Sequence, residues 1–187
     1  MYSLKVERRS KNVKAKKLKR EGIIPSSIFG GDLKESLLIQ IPESEARKLL
    51  KAKGRGGNLE IECEGKKYNV IIEHISQNQM THQIDDIEFQ QLGENKAVSS
   101  FAQVILKNKN KIPTMVQQFI TEIPYKALPS NLVETVEVDM AKLRAGSNLK
   151  VSDLSIWNKS DVEVTIDGDR PVLNVTGDSR KQPQPQH

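Results

Sequence analysis

Aromatic residues are scarce: Phe, Trp and Tyr make up 4% of the chain, with a single Trp. A core must therefore be built from Ile, Val and Leu. Cysteine is nearly absent. Cys63 is the only one, which excludes an intrachain disulfide and fits the cytoplasm. No apolar run approaches the ~18 residues a membrane helix needs. The first residues are charged and lack the apolar segment of a secretory signal. Without secretion, the glycosylation patterns at Asn158-Lys159-Ser160 and Asn174-Val175-Thr176 carry no weight.

Catalytic signatures are missing as well. Gly65-Lys66 has Glu60 where a phosphate loop needs its upstream Gly, and no Ser or Thr follows. His74, His82 and His187 are scattered and do not combine with one Cys into a zinc spacing. Asp85, Asp86 and Glu88 face no nameable nucleophile or electrophile, so they read as structural or recognition carboxylates. The expectation is a protein that is not an enzyme, with no cofactor, no metal, no small-molecule substrate and no membrane.

Basic charge is abundant in one place. Lys5, Arg8, Arg9, Lys11, Lys14, Lys16, Lys17, Lys19 and Arg20 precede Gly22, opposed only by Glu7 and Glu21. The stretch up to Ile24 carries +7 against +5 for the whole chain, which leaves −2 for the remainder. Local basicity of this kind is the electrostatic footprint of a polyanion-binding surface. The plainer alternative is a solvated basic face without a partner. The run feeds directly into an apolar, ordered-looking segment, whereas a charged tail is usually rich in Pro, Gly or Ser.

At 187 residues the chain suits one large or two small domains. Residues 2–7 alternate, which suits an edge strand. Residues 11–21 have helix or loop character, ended by Gly22. Ser26–Phe29 and Leu37–Ile41 read as strands, and Pro42 opens a helix from Glu43 to about Lys53 with Ala46, Leu49 and Leu50 on one face. Gly54–Asn58 stops it. Leu59–Cys63 and Lys67–Ile75 form a hairpin around Glu64-Gly65-Lys66, and Asp85–Gln90 is a short strand. Strands around one helix suggest an antiparallel barrel over residues 1–92.

Gly93–Lys96 is the candidate boundary. A second β-rich domain is expected over 96–177. Its strands are Val98–Leu106, Val116–Ile123, Thr135–Val138, Asp161–Ile166 and Pro171–Val175, and a short helix spans Met140–Arg144, capped by Asp139. Pro113, Pro124 and Pro129 are expected at edges or in loops. Residues 178–187, ending Gln-Pro-Gln-Pro-Gln-His, form a disordered tail. The fold class is thus mainly β with few helices.

The order of motifs then becomes specific. Lys16-Lys17-Leu18-Lys19-Arg20-Glu21-Gly22 runs into Ile24-Pro25-Ser26-Ser27-Ile28-Phe29-Gly30, and Asp86-Ile87-Glu88-Phe89 follows after the helix and hairpin. Later come Leu128-Pro129-Ser130-Asn131-Leu132, Val136-Glu137-Val138-Asp139, Leu143-Arg144-Ala145-Gly146 and Asp153-Leu154. Over about residues 1–176 the chain resembles the bacterial large-subunit ribosomal protein 25 family in its long form, a family that includes the Ctc general stress proteins. The resemblance implies an N-terminal β-barrel that binds 5S ribosomal RNA, a β-rich C-terminal domain, and the large ribosomal subunit with its proteins as partners.

It also implies an RNA contact set. Carried onto this sequence, the early basic position falls at Arg8 and Arg9, and the late one at Lys19 with Arg20 beside it; Lys16 of the same basic run joins the expected RNA-binding set. The family's Tyr position is Phe29, its His position Asp86 and its Asp position Glu88. These are departures. Lys for Arg loses the bidentate fork, Phe for Tyr loses a hydroxyl, and Asp for His brings an acid toward phosphate. The rival expectation is a divergent stress paralogue that acts through protein contacts with weakened RNA binding.

Overall fold

The computed structural model describes residues 2–93, 95–109 and 115–176. Six strands close into a barrel: β1 (Tyr2–Arg8), β2 (Ile23–Phe29), β3 (Leu37–Pro42), β4 (Asn58–Cys63), β5 (Lys66–Gln77) and β6 (Ile84–Gln91), in the order β1-β3-β2-β6-β5-β4. The closing pair β1–β4 and the pair β2–β6 are parallel, and the others are antiparallel. β1 therefore has no free edge, contrary to the edge strand expected from its alternation: that pattern reports one buried face and says nothing of what lies beside the strand. β2 begins three residues earlier than expected and runs through Pro25. Its pairing to β6 starts only at Ser26, so the proline withdraws no ladder donor on that side.

The barrel interior follows the aliphatic expectation. Ile28, Ile39, Ile41, Leu59, Ile61, Val70, Ile72, Ile87 and Phe89 are fully buried, and α2 (Glu43–Ala52) adds Ala46 and Leu49 to the same core. Pro42 precedes α2, and Glu43 and Glu45 in its first turn oppose the positive end of the helix dipole. The short helix α1 (Ala15–Arg20) inserts only Leu18 into the protein, and Gly22, at φ +71°, turns the chain from α1 into β2.

Residues beyond the barrel form two open sheets: β10-β7-β9-β12 and β11-β13-β8. The strands are β7 (Val98–Lys107), β8 (Val116–Gln118), β9 (Glu122–Ala127), β10 (Thr135–Asp139), β11 (Asn148–Lys150), β12 (Val162–Val164) and β13 (Pro171–Val175). Three expectations need correction. The single strand Val116–Ile123 is two, in different sheets. The N–H groups of Phe119 and Ile120 both donate to the Val172 carbonyl, at 2.9 and 3.2 Å, where the chain crosses over. The helix at Met140–Arg144 is one 3-10 turn, Met140–Lys142, although Asp139 does cap it by accepting from the Ala141 N–H at 3.1 Å. Pro124 lies inside β9, between β7 and β12. Its carbonyl accepts from the Thr165 N–H at 3.1 Å, just past the end of β12, so its nitrogen faces the side where pairing is already stopping. Pro113 and the tail 178–187 lie outside the described residues.

The two parts meet at the segment after α2. The Arg55 guanidinium lies 3.6 Å from the centre of the Phe101 ring, and its Nε donates to the Glu73 carbonyl at 2.7 Å. Lys53 Nζ reaches both Glu134 carboxylate oxygens, at 2.7 and 2.6 Å, and the Asn58 N–H donates to the same carboxylate at 3.2 Å. Gly56, at φ +79°, allows this approach: a Cβ there would sit 2.1 Å from the Phe101 carbonyl oxygen.

Candidate nucleic-acid interface

β2 and β6 run parallel, with Ser27 opposite Glu88 and Phe29 opposite Gln90. Alternation sends Ile28, Ile87 and Phe89 inward, each fully buried. Pro25, Ser27 and Phe29 of β2 then share the outer face with Asp86 and Glu88 of β6. On the far side of β6, Glu88 pairs with His74 and Asp86 with Ser76 of β5. α1 lies against this face.

A groove of about 250 Å³ runs between them, lined by Arg9, Lys19, Asp85, Asp86 and Glu88 together with Ala15, Pro25, Ser27 and Leu38. It gathers four of the residues expected from sequence: Arg9, Lys19, Asp86 and Glu88. Arg9 is fastened there, with Nε and Nη2 donating to the Val13 carbonyl at 3.3 and 2.8 Å. Arg8 points into a neighbouring groove of about 610 Å³, where Lys11 and Lys34 join it and Glu64 stands 3.5 Å from its Nη1. Phe29 lies half-buried at the end of β2, opposite Gln90 and two residues beyond the Ser27–Glu88 pair. Lys16 and Arg20 lie on the exposed side of α1 and form no ion pair with any described residue. The four dense cations of α1 thus do not point one way.

Asp85 is the residue sequence reasoning undervalued. Its Oδ1 lies 2.5 Å from Lys19 Nζ, and both side chains are 37% exposed. The sequence holds only a trace of this: Ile84 and Ile87 stand three positions apart, off the two-residue period of a strand, and the structure buries both.

The surface suits contact with a phosphate backbone beside donors and acceptors, and nothing in it activates a nucleophile. Among the described residues, no group of three or more His, Cys, Asp or Glu side chains is placed to hold a metal ion. Burial pushes the Cys63 thiol up from its ordinary pKa, which keeps it protonated and unreactive inside the barrel. No helix among the described residues is long and apolar enough to cross a membrane.

Two family models match the chain. The Ribosomal L25p family model covers residues 4–89, and the model for the C-terminal domain of ribosomal protein TL5 covers residues 102–179. Curated relatives carry the name Large ribosomal subunit protein bL25. The one from Thermoanaerobacter sp. is 24% identical over 164 residues, covering 86% of this chain and 81% of its own length. That from Caldicellulosiruptor saccharolyticus is 26% identical over 162 residues, covering 85% and 78%. That from Clostridium perfringens is 23% identical over 185 residues, covering 96% and 90%.

Proposed function

The chain belongs to the ribosomal L25p family, and from that premise we propose that it is a cytoplasmic component of the large ribosomal subunit whose barrel binds 5S ribosomal RNA through the face shared by α1, β2 and β6. The family is one of ribosomal proteins and not of enzymes. The observation that carries the RNA reading is the placement of charge. Lys16, Lys17 and Arg20 stand unpaired among the described residues on one short helix, directly beside the groove that holds Arg9, Lys19, Asp86 and Glu88.

Each group then has a task. The α1 cations neutralise phosphates and so release counterions. Phe29 offers an apolar face for a ribose or base. Asp86 and Glu88 accept hydrogen bonds from 2′-hydroxyl or base amino groups, the donors displayed by the shallow groove of an A-form helix. Because both are acids, they select against a phosphate at their own position and fix the register of the RNA on the sheet.

The test is a titration of the full chain with a 5S ribosomal RNA transcript across a salt series, paired with co-sedimentation on large subunits. Expected is saturable binding whose log-log salt slope corresponds to several phosphates, at about 0.7–0.9 per phosphate. Binding that ignores salt would overturn the reading. Absence of RNA binding together with retained protein contacts would favour a stress paralogue.

A further inference from the structure

We propose that Asp85 is a built-in competitor for RNA phosphate at Lys19, so that docking exchanges an internal counter-ion for an external one. This rests on the RNA-binding reading above and concerns how that site sets its affinity.

A backbone irregularity singles Asp85 out. The β5–β6 ladder pairs Ser76 with Asp86 and Gln77 with Ile84, which leaves Asp85 as the extra residue of β6. A bulge of this kind re-aims side chains. Here it brings Asp85 to the same groove as Asp86, where its carboxylate takes Lys19 Nζ at 2.5 Å. The pairing is selective. Lys16, Lys17 and Arg20 belong to the same helix and have no acidic partner among the described residues; the paired cation is the one that faces the groove.

The balance inside the groove follows. Arg9 and Lys19 stand against Asp85, Asp86 and Glu88. Arg9 keeps its charge but is tethered to the Val13 carbonyl through Nε and Nη2, so Lys19 is the groove cation whose charge an internal acid already offsets. A phosphate takes Lys19 only by displacing the carboxylate. At 37% exposure on both sides the pair is partly hydrated, weak enough to open and strong enough to lower affinity. Lys19 brings its own counter-ion to the complex, so it adds little to the salt dependence.

The experiment is a double-mutant cycle on the full chain, titrated with a 5S ribosomal RNA transcript at about 50 and 200 mM salt. Asp85→Asn is expected to tighten binding about fivefold at the lower salt and to steepen the salt slope by roughly one phosphate equivalent, about 0.7–0.9. Lys19→Ala is expected to weaken binding modestly on the wild-type background and several-fold more on the Asp85→Asn background. Asp85→Ser repeats the measurement in case Asn disturbs the bulge. A gain from Asp85→Asn that survives undiminished beside Lys19→Ala would overturn the proposal, because removal of a remote negative charge does not depend on Lys19. Weaker binding by both Asp85 variants would also overturn it, by making the acid a direct RNA contact. Those outcomes leave the RNA reading standing. A wild type that fails to bind the transcript at either salt removes that reading and this inference with it.

Discussion

The barrel and the two open sheets bury cores of nearly equal size, sixteen and fifteen described residues respectively, so apolar burial does not distinguish them. Strand edges do. Closure leaves the barrel with none, whereas the open sheets end on β10, β12, β11 and β8, edges that are short and, except for β8, carry charge. Lys107 pairs with Glu137 at 2.6 Å across β7 and β10, and Lys150 at the end of β11 pairs with Asp169 at 2.9 Å. Charge follows the same division. On the barrel, like charges gather on α1. Beyond it, the cations without ion-pair partners among the described residues, such as Lys126, Lys142, Lys159 and Arg170, are dispersed along the chain, on β9, on the 3-10 turn Met140–Lys142 and in the connections before β12 and β13. A fold with no edge to guard can concentrate charge on one face for recognition.

The comparison breaks most severely if the two parts do not melt as separate units. Phe89→Ala is expected to destabilise the barrel by about 3–5 kcal/mol, because the ring is fully buried. Trp157, the single Trp, packs against Gly168 in the open-sheet part and reports that part alone. The seam is polar, made of ion pairs, one cation–π contact and hydrogen bonds such as those from Asn58 to Glu134 and from Gln103 to the Arg55 carbonyl, so the Trp157 fluorescence transition should stay in place while the circular-dichroism transition of the barrel moves down. A joint shift would make the two one cooperative unit.

The seam itself is the next test. Gly56→Ala places a methyl group 2.1 Å from the Phe101 carbonyl oxygen and 2.8 Å from its nitrogen, both backbone atoms, and does so at φ +79°. The expected cost is about 2 kcal/mol, with loss of the Arg55–Phe101 stack. The check is the Arg55 side-chain resonances, which the Phe101 ring current shields in the stack and which should move toward unshielded positions. Unchanged resonances and stability would mean that the backbone accommodates the methyl without opening the seam.

Binding sharpens the contrast further. Replacing Lys19 and Arg20 together by Ala should weaken 5S RNA binding about tenfold, the equivalent of about 1.4 kcal/mol, without lowering the melting temperature, since exposed charges contribute little to stability. Replacing Lys142 and Arg144 in the open-sheet part should change neither. The reverse result in a salt-matched titration would move recognition out of the barrel.

The sequence was most legible where one rule acts alone. Ile87 and Phe89 alternate with Asp86 and Glu88, and the strand buries the first pair while Asp86 stays half-buried and Glu88 exposed on the outer face. Ala46 and Leu49 mark the buried face of α2 at helical spacing. It was least legible where tertiary partners decide. Residues 116–123 hold Val116, Phe119, Ile120, Thr121 and Ile123, all strand-forming types, yet the Val172 carbonyl draws Phe119 and Ile120 into a crossover between sheets. Arg55 lies in a glycine-rich helix stop and gives no local sign that Phe101 will receive it. At the interface, the basic run was visible as charge, but which lysine faces the groove was not. That depends on a bulge at Asp85, and bulges arise from the register of two strands.

The smallest expected effect lies at the barrel side of the seam. Glu73 occupies the irregular step of β5 between Ile72 and His74, and its Oε2 is buried with no hydrogen-bond partner. Burial pushes its pKa up from the ordinary glutamate value; Arg55 and His74 pull it back, and Glu88 adds to the rise. Between the ordinary value and the raised one, the folded chain holds a proton that the unfolded chain has released. Stability from this group is therefore greatest at low pH and declines as pH rises through that window, opposite in sign to a carboxylate held by a strong ion pair. Glu73→Gln removes the titration and keeps the shape. The difference in barrel melting temperature, Gln variant minus wild type, should grow in favour of the variant as pH is raised from about 4 to about 7, while the Trp157 transition stays unmoved. The half-buried carboxylate keeps the effect small. A difference that shrinks with rising pH would show that attraction to Arg55 outweighs burial, and would make Glu73 part of what holds the guanidinium over Phe101.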